Sequence, residues 1–358
     1  MKRLVWLGLL ALLALLLTGC AGTAEDAAPQ TEASVTVTQA AAEETTHPTQ
    51  PPEIRMVFTF AGDCTLGCHT IHTHAGYGFL MTVGESYDYP FQNVRQWFEN
   101  DDFTMVNLEG VLGDKGQPAG KRYAFRGPAQ YTNILTRSSV EAVTIANNHT
   151  LDYGEEGYAE TKRILDKARI PYVETNKTKL LTLENGVTVG LYGSVYNSVD
   201  PEAVVAGIRE LKQQGADIII YAPHWGTEHS FRPTQEQKDL GRAAIDAGAN
   251  LVYGCHPHVL QPIEEYDGGV IFYSLGNFSF GGNIYPADYD TAIIQQEIIL
   301  TENGEVTLGE RTIVPCSISS IEKRNNYQPT PYPKGSEDYE RVLSKLDGTY
   351  TGSNLPIS

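Results

Sequence analysis

Four of the nine histidines, His149, His224, His256 and His258, stand just after short apolar runs, together with Asp63, Asn107, Glu109, Asn147 and Asn148. Carboxylate, amide and imidazole groups in that mixture suit divalent transition metals. A histidine directly after the run Ile218 to Pro223 is costly to bury unless its ring nitrogens are satisfied, and a metal satisfies one. Taken singly, each of these histidines reads equally well as a hydrogen-bonded core residue; together, at three separate strand ends, they point to one shared site. In His256-Pro257-His258 the two imidazoles meet at one centre only if the segment leaves regular strand geometry, because neighbours at i and i+2 in a strand stand roughly 6–7 Å apart. Pro257 supports that departure, and the restriction it places on the preceding residue predicts an extended His256.

The elements that must position these groups alternate between strands and helices. Apolar runs predict strands over Met56 to Ala61, Phe103 to Asn107, Val140 to Ala146, Ile218 to Pro223, Leu251 to Gly254, Val270 to Ser274 and Thr291 to Leu300, with Val306 to Ile313 as a hairpin partner. Helical spacing appears over Gln92 to Glu99 and Glu155 to Ala168. Asp200-Pro201 caps a helix running to Gln214, and Thr234 with Gln237 opens a capping-box helix that Gly248 ends. This order predicts an α/β fold, and open α/β sheets bind ligands beyond the carboxyl ends of their strands, where the polar groups fall. No internal repeat appears, and periodicity fades from about residue 320, so the last segment either wraps the domain or hangs free.

Other residues carry weaker signals. Arg126 suits bidentate binding of a phosphate or carboxylate, or is an exposed loop arginine; Asn277 orients a ligand or caps a turn. Cys64, Cys68, His69, His72 and His74 are dense enough for a zinc site, but the region is glycine-bearing loop without a second matching half. Cys64, Cys68, Cys255 and Cys316 allow three complete disulfide pairings; a large core does not need them, which favours partly buried thiols.

Composition bounds the rest. With 41% hydrophobic and 20% charged residues in 358, the chain is globular, and it accommodates one large domain. Lys2 and Arg3 precede an apolar run from Leu4 to Leu17, short of the roughly 20 residues of a spanning helix and suited to an export signal. Leu17-Thr18-Gly19-Cys20 resembles the lipobox of bacterial lipoproteins, which implies cleavage before Cys20, its lipidation, and an extracytoplasmic protein anchored to the cell membrane. Residues 21–52, rich in Ala, Thr, Glu, Gln and Pro, read as a disordered tether spanning about 30 Å. Loss of residues 1–20 removes two basic and no acidic groups from a chain of net charge −18, leaving −20. So acidic a chain is a poor nucleic-acid binder, whereas a local cationic centre still holds an anion within the roughly 8 Å that salt leaves unscreened.

The motifs Phe60-Ala61-Gly62-Asp63, Asn107-Leu108-Glu109, Asn147-Asn148-His149 with Asp152-Tyr153-Gly154, His224-Trp225-Gly226, Gly254-Cys255-His256-Pro257-His258-Val259 with Gln261, and Tyr273-Ser274-Leu275-Gly276-Asn277-Phe278 resemble, in order and spacing, the poly-γ-glutamate capsule synthesis protein CapA family, over roughly residues 56–315. That family is in turn similar to calcineurin-like metallophosphoesterases. The resemblance implies a four-layer αββα sandwich over residues 53–320, followed by an extension over 321–358, with one or two divalent ions (Mn, Zn, Fe or Mg) between the sheets. By motif it implies Asp63, Glu109 and His258 at a first metal, Glu109, Asn148, His224 and His256 at a second, and His149 as the general acid. Two departures from the phosphoesterase pattern thin the first site: Thr65 stands where a histidine is expected, and Asn107 with Glu109 replace the usual Gly-Asp. Two functions follow. One is a metal-dependent hydrolase of phosphoesters or of an amide-bonded polymer; the other is a nonenzymatic binding or assembly factor for an anionic polymer, working with membrane-bound synthesis machinery. A purely structural lipoprotein is the third reading, and it predicts no bound metal.

Overall fold

The computed structural model describes residues 53–69 and 76–356. Cys20, the signal segment, the tether, His72 and His74 lie outside the described residues. No helix among the described residues is long and apolar enough to cross a membrane.

Two sheets face one another. The first has eight strands, in the order Thr330–Pro331, Val306–Ser317, Asp290–Thr301, Glu53–Thr65, Phe103–Leu108, Ala142–Thr144 and Tyr172–Val173, with Asn277–Phe280 pairing beside the end of Glu53–Thr65. The second runs Ile263–Tyr266, Gly269–Phe272, Leu251–Tyr253, Ile218–His224, Thr188–Val195 and Lys177–Thr182. Its four inner strands are parallel and its two edge strands antiparallel.

Side-chain alternation assigns each strand's two faces to different cores. Phe58, Phe60, Phe103 and Met105 from the first sheet meet Leu191, Ile218, Ile220, Tyr253 and Phe272 from the second, closing the space between the sheets. On the far side of the first sheet, Val106, Leu108, Val143 and Ile145 pack under Phe79, Phe98, Leu135 and Leu165, which come from helical segments. On the far side of the second, Tyr192, Ile219 and Tyr221 pack under Val204, Ile208, Leu240 and Ala244 of helices Pro201–Gln213 and Gln235–Ala247. Three cores separate four layers, in the order α, β, β, α.

Helix boundaries follow local chemistry. Asp200 accepts from the Glu202 amide ahead of Pro201, and Thr234 and Gln237 form a reciprocal capping box. The segment after residue 320 wraps the domain. Its helix Glu337–Leu346, capped by Ser336, has no counterpart in the sequence reading. Lys345, 3% exposed, bonds Asp288 at 2.7 Å and Asp290 at 2.7 Å, while Arg341 bonds Asp290, so the helix is fastened by a buried charge cluster. Cys64, Cys255 and Cys316 are buried thiols, and burial pushes each upward in pKa. Cys64 and Cys68 both pack into the helix-side core. Two of the five residues of the zinc reading, His72 and His74, lie outside the described residues.

Candidate metal centre

The strands deliver their polar ends to one place by parity. Phe103 and Met105 face the other sheet, and continuing the alternation puts Asn107 on the same side, with Glu109 just past the strand end. Ile218, Ile220 and Ala222 face the first sheet, and His224 follows in step. Asp63 needs a correction of register. Phe60 pairs with Met105 but Asp63 pairs with Asn107, so one extra residue is inserted between them. This bulge reverses the parity of the strand end, sending Asp63 inward and Cys64 to the helix side. Gly62 sits in the bulge against the Gly276 carbonyl, where a Cβ would lie 2.1 Å from that oxygen. No other residue fits there.

The loops are held as firmly. Asn107 Nδ2 donates to Asp63 Oδ1 at 2.8 Å; Asn147 Nδ2 donates to Asn107 Oδ1 at 3.0 Å and to the Leu108 carbonyl at 2.9 Å. Asn147 Oδ1 accepts the His149 amide, so this asparagine folds the turn that presents Asn148 and His149. His256 and His258 have φ of 101° and 58°. The expectation of an extended His256 is thus wrong: the His256 amide turns to Asp63 Oδ2, 3.3 Å away, and the Pro257 carbonyl accepts the His229 amide at 2.8 Å. Two non-glycine residues with positive φ in one tripeptide are strained, and the surrounding contacts hold them there.

These turns bring the six expected ligands together. His258 Nε2 is 3.7 Å from Glu109 Oε1, and its Nδ1 is 3.2 Å from Asp63 Oδ2. His224 Nε2 is 2.9 Å from Asn148 Oδ1 and 3.9 Å from Glu109 Oε1, and the His224 and His256 rings are 4.7 Å apart. His149 approaches the same Glu109 oxygen, with Nε2 3.6 Å from Oε1 and Nδ1 2.7 Å from Asp152 Oδ2. Asp152 also accepts the Phe125 amide and pairs with Lys121, whose ammonium reaches the Asn148 carbonyl at 2.7 Å.

Two predicted contacts fall elsewhere. Arg126 lies on the strand Phe125–Gly127; Phe125 packs on His149, so alternation turns Arg126 away. Its guanidinium donates to the carbonyls of Asp114, Lys115 and Gly116 and stacks 3.4 Å over the Tyr153 ring, which commits it to a loop rather than to an anion. Asn277 pairs beside Asp63 and bonds His258, accepting from Nδ1 at 2.9 Å and leaving Nε2 directed at Glu109. It is a positioning residue, as carbonyl partners of ligating imidazoles commonly are. Sequence reasoning assigned no role to Asp152, Lys121, Tyr196 or Glu228. The Asp152 signal was present three residues beyond His149; Tyr196, stacked at 4.7 Å on His256, gives none in sequence.

The electrostatics suit a cation. Both Glu109 oxygens are buried without a hydrogen-bond donor, as are His224 Nδ1 and His256 Nδ1. A bare buried carboxylate is costly unless a positive charge meets it. Burial drives the Glu109 carboxyl well above its usual range, opposed by His258 and reinforced by Asp63. Burial also lowers His224, and lowers His256 to about 3, keeping both imidazoles in the neutral form that a metal requires. Burial alone would lower His258, yet the charge of Glu109 and the hydrogen bond to Asp63 outweigh it and raise the group to about 10. His149 is lowered by burial, against the pull of Asp152. Asp63, Glu109 and His224 each bring a donor atom within 4.8 Å of the others. Orphaned oxygens, neutral imidazoles and that spacing fit one or more divalent ions.

Residues 57–282 match the family described as bacterial capsule synthesis protein PGA_cap. The chain belongs to that family. The PGA biosynthesis protein CapA of Bacillus subtilis is 31% identical over 80% of this chain and 77% of its own length. The capsule biosynthesis protein CapA of Bacillus anthracis is 29% identical over 74% of this chain and 68% of its own. Among solved structures, Haemophilus influenzae NAD nucleotidase aligns with a TM-score of 0.40 and 10% identity over 83% of this chain and 63% of that one, too loose a likeness to argue from. Within the PGA_cap family, then, this chain carries a buried cluster with the donor set of a divalent-metal centre.

Proposed function

We propose that this PGA_cap protein is a lipid-anchored, extracytoplasmic hydrolase of metallophosphoesterase type that acts on a phosphoester or on an anionic polymer such as poly-γ-glutamate during capsule synthesis, retention or export. The observation that carries this reading is the His149–Asp152 pair beside the orphaned Glu109 carboxylate. A factor that only bound polymer through a metal would have no use for a buried proton-transfer pair. Divalent ions, held by Asp63, Glu109, Asn148, His224, His256 and His258, would supply Lewis-acid polarisation and acidification of water.

The protein's own groups do the rest. Asp152 accepts the Nδ1 proton of His149 and fixes the ring, so Nε2 faces the centre and exchanges a proton with the reacting group there. Lys121 neutralises Asp152 and ties it to the Asn148 loop. Asn277 keeps His258 aimed at Glu109. Lipidation at Cys20 would place the site beside membrane-bound synthesis machinery, and the tether would leave it free to turn.

Replacing His149 with Asn tests the chemistry. The variant keeps its divalent-ion content and loses hydrolysis of a phosphoester panel and of poly-γ-glutamate. Unchanged polymer output and unchanged turnover in cells carrying it would leave only the binding role.

A further inference from the structure

Glu228 belongs to no motif in the sequence reading, yet it stands beside two of the buried imidazoles. Its carboxylate, His256 and His258 each bring one donor atom within 4.8 Å of the others. Resting on the metal-centre reading above, we propose that Glu228, His256 and His258 form a cation position at the outer edge of the centre, alongside the position formed by Asp63, Glu109 and His224.

Three observations carry it. His256 is 4% exposed and its Nδ1 has no partner, so one of the three residues already buries an unsatisfied ring nitrogen. Glu228 itself makes no hydrogen bond or ion pair among the described residues, and its charge reaches both Glu109, which it raises further, and His258, whose protonated form it favours. A carboxylate with no partner of its own, close to a second carboxylate, is relieved by a cation between them. Two divalent ions among Asp63, Glu109 and Glu228 would leave the centre positive and attract an anionic substrate.

The loop that carries Glu228 is also locked in place, as a ligand-bearing loop must be. Gly226, at φ 85°, turns the chain so tightly that a Cβ would meet Gln237 Oε1 at 2.4 Å. The His229 amide donates to Pro257 between the two histidines, and Gln261 Nε2 donates to the Ser230 carbonyl at 2.8 Å. From outside, the C-terminal tail straps the loop: the Leu355 amide donates to the His229 carbonyl at 3.1 Å, His229 Nδ1 meets the Pro356 carbonyl at 2.6 Å, and the Phe231 amide donates to Asn354 Oδ1 at 3.0 Å.

The test is calorimetric titration of the metal-free protein with Mn²⁺, comparing wild type with Glu228→Gln, Glu228→Asp and His224→Ala. Wild type takes up two ions. Glu228→Gln weakens one of them by about tenfold or more and leaves the other unmoved, Glu228→Asp falls between, and His224→Ala weakens the ion that Glu228→Gln spares. Since Glu228 has no hydrogen bond to lose, the metal-free variant stays folded and keeps a cooperative thermal transition. Affinities in Glu228→Gln within twofold of wild type overturn this assignment and leave the inner position standing. A wild type that takes up no ion overturns both.

Discussion

The raised proton affinity of His258 ties cation binding to pH. In the metal-free protein the group titrates at about 10, so at pH 7 it is protonated by three pH units. An ion that needs its Nε2 must displace that proton, at a cost of about 4 kcal/mol at pH 7 and about 1.4 kcal/mol at pH 9, taking 1.36 kcal/mol per unit. Cation affinity therefore rises with pH between 7 and 9, by up to about tenfold per unit, as the proton held by the coupled His258–Glu109 pair is released. His256, lowered to about 3, and His224, lowered by burial, are neutral in this window and release none. The assay is Mn²⁺ titration in buffers of different ionisation enthalpy, with His258→Ala as control. The same shift predicts stability: because the folded value exceeds the ordinary 6.5, the protonated group supports the metal-free fold fully below about pH 6.5 and loses that support as pH climbs through about 10. The Tm of chelated protein should thus fall between pH 7 and 10. Affinity independent of pH, with no proton released, would refute this coupling of His258 to the carboxylates.

Other perturbations probe the scaffold. Gly62→Ala places a Cβ 2.1 Å from the Gly276 carbonyl, so urea unfolding should show a loss of about 1–3 kcal/mol or more, with weaker Mn²⁺ binding because Asp63 is displaced. Lys345→Met leaves Asp288 and Asp290 buried beside Arg341 alone, and denaturation should report a loss of about 3–5 kcal/mol with little change in ion content. Truncation after Asp347 removes the Asn354, Leu355 and Pro356 contacts to the Glu228 loop. That protein should stay folded and weaken the outer ion selectively; unchanged binding would show that the strap does not position Glu228.

Much of the centre could be read from alternation. Phe103, Met105, Asn107 and Glu109, and likewise Ile218, Ile220, Ala222 and His224, keep one face from the core to the site, so their placement follows from the period of a strand. The inserted residue after Phe60 could not be read that way, because a bulge leaves no trace in hydrophobic pattern; only Gly62 marked it. The Thr188–Val195 strand has no counterpart in the expected elements, its two glycines lowering strand propensity although it lies inside the second sheet, between Ile218–His224 and Lys177–Thr182. Helix Glu337–Leu346 did carry a signal, Ser336 followed by Tyr339, Val342, Leu343 and Leu346 at helical spacing, which the charged residues between them masked. Pro257 misdirected the reading of His256, since the pull of Asp63 on the backbone outweighs the local preference. Glu228 reaches the centre through a loop closed by residues more than a hundred positions away, a relation that no local pattern encodes.

Anomalous diffraction from crystals grown with Mn²⁺ tests the central claim most directly. A peak is expected within about 2.3 Å of donor atoms from Asp63, Glu109 and His224, between the two sheets at the ends of their strands. A map with no peak there, or with ordered ions only at surface carboxylates, would contradict it.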